Sequence, residues 1–269
     1  MNVLITGANG FSGKNLSEYL KSKGYNIIRL TRKEADLQNF QEVKEFASKI
    51  QEQINTVIHT AFKTASPNQT KEQQIQTFNE NILITKNTIE LASMLHIEKF
   101  INFSSMSVYP STDGCFNENS IIKTSENTDC MYGLAKFCAE NMFDLYLKNT
   151  KIIHLRIAQI FSENMREDRI IPVMKRELSE NNKITVYGNG ERSSCFISVL
   201  KLCEIINFFL QKNLTGIYNT GEFNITYYDL AKKIINKYGN ENSEIIKEEK
   251  GSKSKFRMDF SKLAFEMDK

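Results

Sequence analysis

Over the first 160 residues, short unbroken apolar runs alternate with longer stretches in which apolar residues recur every three or four positions. Residues 3–6, 26–30, 56–60, 99–104 and 152–157 are of strand length and rich in Ile and Val. Residues 13–22, 40–51, 77–95 and 132–147 carry helical spacing between them. Strands that are apolar along most of their length bury both faces. Their alternation with helices therefore predicts a parallel sheet covered on both sides, a doubly wound α/β architecture. Beyond residue 160 the alternation loosens. Residues 163–190 hold one helix and a short strand at 184–187, and 199–210 and 227–238 read as helices. The last thirty residues are strongly charged, with a short strand near 256–260. This divides the chain into a sheet domain over 1–160 and a smaller C-terminal lobe over 161–269, interleaved into one structural unit.

Composition narrows the class. A chain of 269 residues with 41% hydrophobic and 25% charged side chains can bury a full core. Its 35 Lys and Arg against 32 Asp and Glu leave a net charge of +3, too small and too dispersed for a nucleic-acid surface. Cys115, Cys130, Cys138, Cys195 and Cys203 form no C-x-x-C pair, which fits reduced thiols in a cytoplasmic protein. No run approaches the ~18 apolar residues of a membrane span, and the first residues enter a strand pattern at once, so neither membrane insertion nor a signal peptide is expected. His59, His96 and His154 are dispersed, and no metal site is expected. Glycine is scarce, at 12 residues, which directs attention to where each one falls.

Three of them fall in Gly7-Ala8-Asn9-Gly10-Phe11-Ser12-Gly13, between the first strand and the first helix. There Gly7 permits a tight turn, Gly10 admits a pyrophosphate to the backbone and Gly13 lets the helix pack closely on the strand. The loop, with Asn9, Phe11 and Ser12, predicts a dinucleotide cradle of Rossmann type. An NAD site usually carries an acid after the second strand; here Arg29-Leu30-Thr31-Arg32-Lys33 stands there instead. Arg32 and Lys33 suit the additional 2′-phosphate of NADP, so NADP is expected over NAD. The alternative is that both are solvated surface charges, with Glu34 as a neighbouring partner.

Tyr132-Gly133-Leu134-Ala135-Lys136 sets Tyr132 and Lys136 four apart on one helix face. A lysine ammonium beside a phenol lowers its pKa from about 10 and equips it to exchange a proton with a carbonyl or alcohol oxygen. Alone this spacing is common on helix surfaces. Upstream, Ser104-Ser105-Met106-Ser107-Val108-Tyr109 closes the fourth strand, placing hydroxyls at the strand end where doubly wound sheets bind ligands.

In this order the motifs resemble the extended short-chain dehydrogenase/reductases of the nucleotide-sugar epimerase, dehydratase and reductase group. Asp36-Leu37, His59-Thr60-Ala61, Asn81, Leu155-Arg156 and Val186-Tyr187-Gly188-Asn189-Gly190 extend the likeness over nearly the whole length. The resemblance implies that Ser105 orients a substrate carbonyl, Tyr132 is the acid/base, and Lys136 holds Tyr132 and the nicotinamide ribose. Asp36 and Leu37 would border the adenine, and Ala61 and Asn81 would belong to the cofactor site. Ser105, Met106, Ser107, Gln159 and Arg192 would face the substrate, which the smaller lobe helps to bind.

Departures from the family pattern narrow the activity. Dehydratases of the group carry Asp-Glu where this chain has Met106-Ser107, so dehydration is not expected. Ring epimerisation by a Cys/His pair is not supported, because Ser107 holds the cysteine place and no histidine follows His154. The group usually has Asn at Gln159, Gly at Ser162 and Arg at Ser194, which leaves Arg192 as the cation for a diphosphate. The expectation is therefore an NADP-dependent reductase of a nucleoside-diphosphate 4-keto-(6-deoxy) sugar. An NAD-dependent C4-epimerase is the enzymatic alternative, and an NADP-binding regulatory protein the non-enzymatic one. Helices 77–95 and 132–147 would form a homodimer through a four-helix bundle, as in similar enzymes.

Overall fold

The computed structural model describes residues 1–64 and 69–269. The apolar runs of the N-terminal half form β1 (Asn2–Thr6), β2 (Asn26–Leu30), β3 (Thr56–His59) and β4 (Lys99–Ser105), separated by α1 (Phe11–Ser22), α2 (Phe40–Lys49) and α3 (Lys71–Met94). The short β5 (Gly114–Phe116), helix α4 (Cys130–Tyr146) and β6 (Lys151–Ile157) follow. The C-terminal half contributes β7 (Gln159–Phe161), α5 (Ile170–Asn181), β8 (Lys183–Tyr187), β9 (Ser193–Ser198), α6 (Val199–Gln211), β10 (Gly216–Thr220) and β11 (Phe223–Thr226). The chain closes with α7 (Tyr227–Tyr238), β12 (Glu244–Glu248), β13 (Phe256–Met258) and α8 (Ser261–Met267).

Six strands pair in the order β10-β6-β4-β3-β1-β2, with every pairing parallel. Their side chains alternate between faces. Val3 and Ile5 of β1 join a cluster with Leu16 and Leu20 of α1 and Ile205, Ile206 and Phe209 of α6. Leu4, between them, joins the opposite cluster with Ile84 and Leu91 of α3 and Phe143 of α4. The sheet is thus covered on both faces, as the apolar runs require. A third cluster around Leu178, Ile184, Val186, Phe196 and Leu230 forms the core of the smaller lobe. That lobe carries the sheet β11-β9-β7 and the pair β12-β8.

Strands β5, β7, β9, β11 and β12 and helix α8 lie outside the sequence reading, and two further departures bear on the main sheet. The sixth strand, β10, was not expected, since only Ile217 and Tyr218 of its five residues are apolar while its buried Asn219 and Thr220 are polar. Helix α3 begins at Lys71 instead of residue 77. Its first turns have little apolar periodicity, and a reciprocal capping box between Thr70 and Gln73 starts it. Residues after 160 therefore serve both layers: α6 and β10 return to the main sheet, while α5, β8, β9 and α7 build the lobe.

Candidate active site

At the C-terminal edge of β1 the chain turns through Gly7, whose φ is +66°. A Cβ there would stand 2.8 Å from the Ala61 backbone, and one at Gly13 would stand 2.4 Å from the Gly7 carbonyl. Both positions must be glycine for α1 to sit this close to β1 and β3. Gly10 is the N-cap of α1 and offers no side chain to its first turn, which holds Phe11, Ser12 and Gly13 and no acid. The helix amides at this end are thus uncapped by side chains and oriented to receive an anion. Arg29 reaches the same loop from β2, its Nη2 donating to the Ala8 carbonyl at 2.8 Å and to Asn9 Oδ1 at 2.7 Å.

A groove of about 420 Å³ opens along this edge. Gly7, Asn9, Gly10, Arg32, Lys33, Asp36, Leu37 and Ala61 all line it, so eight of the residues expected around a dinucleotide are brought together. Glu34 is not a partner for the neighbouring cations: its carboxylate accepts from Thr31 N and Thr31 Oγ1, which holds it below the usual carboxylate range. Among the described residues Arg32 and Lys33 form no ion pair. Glycines that only a bare backbone can occupy, a helix start without a side-chain cap and two unpaired cations at the groove fit a phosphate-rich dinucleotide. Asn81 serves this wall indirectly. Buried on α3, its Oδ1 accepts from Lys63 N at 2.7 Å and its Nδ2 donates to Lys63 O at 3.0 Å, fixing the loop that carries Ala61 and Phe62. Asn81 and Tyr132 also edge a second cavity, of about 180 Å³, with Thr77, Phe78, Asp129 and Cys130.

β4 ends at Ser105, whose Oγ accepts from Ser107 N at 3.1 Å and starts the single turn Met106–Val108. Helix α4 packs against this turn so closely that a Cβ on Gly133 would lie 2.0 Å from the Ser107 carbonyl. Two bonds one helical turn apart fasten α4 to β4. Lys136 Nζ donates to the Phe103 carbonyl at 2.5 Å, and Ser104 Oγ donates to Glu140 Oε1 at 2.5 Å. Glu140 also takes a bidentate bond from Arg156 on β6, at 3.1 and 2.8 Å, and Arg156 Nη1 donates to the Tyr109 hydroxyl. This buried polar network fixes the register in which Tyr132 meets Ser105.

Burial dominates the electrostatics of the site. Burial pushes the Tyr132 phenol up to about 12; the charge of Arg169 opposes this, Asp129 adds to it, and the nearby Ser105 hydroxyl opposes it. Lys136 Nζ donates to the Phe103 carbonyl and lies over the Tyr132 ring, 5.7 Å from its centroid. Burial brings Lys136 itself down to about 7, partly offset by Glu140. His59, beneath the site, is pushed down to about 3 by burial and by Lys136. Its Nδ1 pairs with Thr6 Oγ1 at 2.9 Å, and its Nε2 has no partner among the described residues.

The substrate-side expectations divide. Met106 and Ser107 stand in the turn beside Ser105. Gln159 Nε2 donates to Ser194 Oγ at 2.7 Å, so two positions that depart from the family pattern are bonded to each other. Arg192 lies over the Tyr227 ring, 5.3 Å from its centroid. No hydrogen bond links Gln159 or Arg192 to Ser105, Tyr132 or Lys136 among the described residues. Three residues escape the sequence reading: Arg29, Phe62 and Arg169, the last at the N-cap of α5. Arg29 left a signal, a cation inside an otherwise apolar strand.

The model of the NAD dependent epimerase/dehydratase family matches residues 3–225. The dTDP-D-glucose 4,6-dehydratase of Dictyostelium discoideum is 31% identical over 267 residues, covering 87% of this chain. The chain spans only 61% of that relative's length. The GDP-L-colitose synthase of Yersinia pseudotuberculosis is 25% identical over 258 residues, covering 87% of this chain and 82% of its own. Among solved structures, the UDP-glucose 4-epimerase of Thermotoga maritima superimposes with a TM-score of 0.83 over 98% of this chain and 92% of its own. At 19% identity that likeness speaks for the fold.

Proposed function

This chain belongs to the NAD dependent epimerase/dehydratase family, and from that premise we propose that it is an NADP-dependent reductase of a nucleoside-diphosphate 4-keto-6-deoxy sugar. The observation that carries the reading is the meeting of Ser105 with the Tyr132/Lys136 helix face beside a groove whose cations, Arg32 and Lys33, are unpaired. Gly7, Gly10 and the start of α1 would hold the pyrophosphate, Asp36 and Leu37 the adenosine, and Arg32 and Lys33 the 2′-phosphate. When bound, NADPH supplies the hydride.

The protein's own part is to orient the ketone and hold a proton. Ser105 donates a hydrogen bond to the ketone oxygen. Tyr132 keeps its proton throughout the neutral range, the form required of a donor to the oxygen as the alcohol appears. Lys136, tied to Phe103, sets the depth of α4 and with it the distance from Tyr132 to that oxygen. Met106 and Ser107 supply no carboxylate for eliminating water, which favours reduction over the dehydration named for the Dictyostelium relative.

The test is a panel of dTDP-, GDP- and UDP-4-keto-6-deoxy sugars with NADPH and NADH. Consumption of NADPH in preference to NADH, with formation of a C4 alcohol, is the expected result. Interconversion of C4 epimers on tightly retained NAD, with no net NADPH oxidation, would replace it by the epimerase reading. Two lesser points accompany the proposal. Leu83 on α3 and Leu145 on α4 are exposed, at 39% and 62%, and would be covered in a homodimer, so light scattering should give twice the chain mass. The five free cysteines favour a reducing, cytoplasmic setting, and fractionation should recover the protein there.

A further inference from the structure

Phe62 stands between the groove and the pair Tyr132–Lys136. It follows His59-Thr60-Ala61 in the loop that Asn81 fastens, and its ring lines the groove. That ring meets the Tyr132 ring edge-on, with centroids 5.7 Å apart and planes at 84°. Its face is turned to Lys136, whose Nζ lies 3.7 Å from the ring centre. The Phe103 carbonyl is the hydrogen-bond acceptor that Nζ has among the described residues. A cation over an aromatic face at this distance is attracted by the ring quadrupole, and the ring excludes water from it.

We propose that Phe62 is a positioning residue for Lys136: it caps the ammonium in the free protein and must yield that face before the hydroxyls of a nicotinamide ribose can reach Nζ. This rests on the function proposed above and on the role the family resemblance implies for Lys136, that of holding the nicotinamide ribose. It adds a residue that competes with the cofactor for the lysine and sets the protonation change on binding. Exchanging an apolar ring for hydroxyl oxygens favours the charged amine, so binding takes up a proton where the free lysine is partly neutral. The other groups around Lys136 leave that proton to it. His59 on β3 is neutral and Tyr132 on α4 is protonated near pH 8, and Glu140 on α4 is committed to Arg156 on β6 and Ser104 on β4.

Calorimetry of NADPH binding between pH 7 and 9, in two buffers of different ionisation heat, tests this on the wild type and on Phe62→Ala, Phe62→Leu and Phe62→Tyr. The wild type should take up a fraction of a proton per site. Phe62→Ala should bind roughly fivefold tighter, the scale of one cation–π contact removed from competition, and lose the proton uptake. Phe62→Leu, which keeps apolar bulk and guards against a folding defect, should share the tighter binding; Phe62→Tyr, which keeps the ring face, should match the wild type. Unchanged affinity and uptake in Phe62→Ala overturn the proposal. So does weaker binding, since the ring would then be holding the cofactor. A wild type that binds neither NADPH nor NADH overturns the function reading itself, so the two failures are told apart.

Discussion

A methyl group at position 133 would lie 2.0 Å from the Ser107 carbonyl, so Gly133→Ala must push α4 away from the turn after Ser105. Tyr132 moves with the helix, and a misplacement of about 1 Å can cost about 100-fold in rate. We expect that loss in kcat, with a smaller loss of NADPH affinity because Lys136 moves with α4 while the phosphate and adenosine groove lies on other elements; steady-state kinetics beside a binding titration checks both. Tyr132→Phe should abolish turnover and leave cofactor binding intact, and near-normal activity would sink the proton-donor role. Lys136 supplies a pH prediction. Its folded value of about 7 lies below that of a free lysine, so between pH 7 and about 10.4 the unfolded chain binds more protons and stability rises with pH. The penalty is full below pH 7, where Lys136→Met should be more stable than the wild type by about 2–4 kcal/mol, the gap closing toward pH 10 in urea titrations. That Ser105, Tyr132 and Lys136 lie close together is legible in the sequence because a strand end and one helical turn fix their spacing, while the roles expected of them come from the family resemblance. Phe62 and Arg29 are not, since their roles arise where side chains from separate strands and loops converge.

Helix α4 is held by β4 and β6 through buried polar bonds as well as apolar contact, and the placement of Tyr132 and Lys136 depends on them. Glu140 is the hinge of that attachment, joined to Ser104, one residue from Ser105, and to Arg156. Glu140→Gln would leave the Arg156 guanidinium buried without its charge partner. We expect a destabilisation of about 3–5 kcal/mol by denaturant unfolding, and partial recovery when Arg156→Met is added. A single-mutant loss below about 1 kcal/mol would show that the pair is not strained by losing one charge. At this scale the sequence is a good guide to strands apolar along their length and a poor one to elements begun or paired through polar groups. The Thr70–Gln73 box extends α3 past its apolar pattern, and the buried Asn219 of β10 makes its contacts through its amide, accepting from Tyr109 and donating to Phe116 and Asp259 carbonyls.

Across the whole molecule, the sheet is completed from both halves of the chain. β10 covers the edge of β6, and α6 supplies Ile205, Ile206 and Phe209 to the face that Val3, Ile5, Ile101 and Leu155 present. A fragment of residues 1–160 should therefore lack a cooperative urea transition, whereas the full chain should unfold in one; a sigmoidal transition in the fragment would refute this. The alternation in the first 160 residues conveys the fold class yet not this closure, because the closing strand lies outside the repeating pattern. The same arrangement has a consequence for synthesis. Between Ile157 and Gly216 the ribosome must add roughly 60 residues, about 3–12 s of elongation at 5–20 residues per second. For that interval β6 is an uncovered edge, with open backbone donors and acceptors and an apolar face awaiting α6. The nascent chain is thus most exposed to wrong strand partners and to chaperone capture just after its proposed catalytic residues have been made.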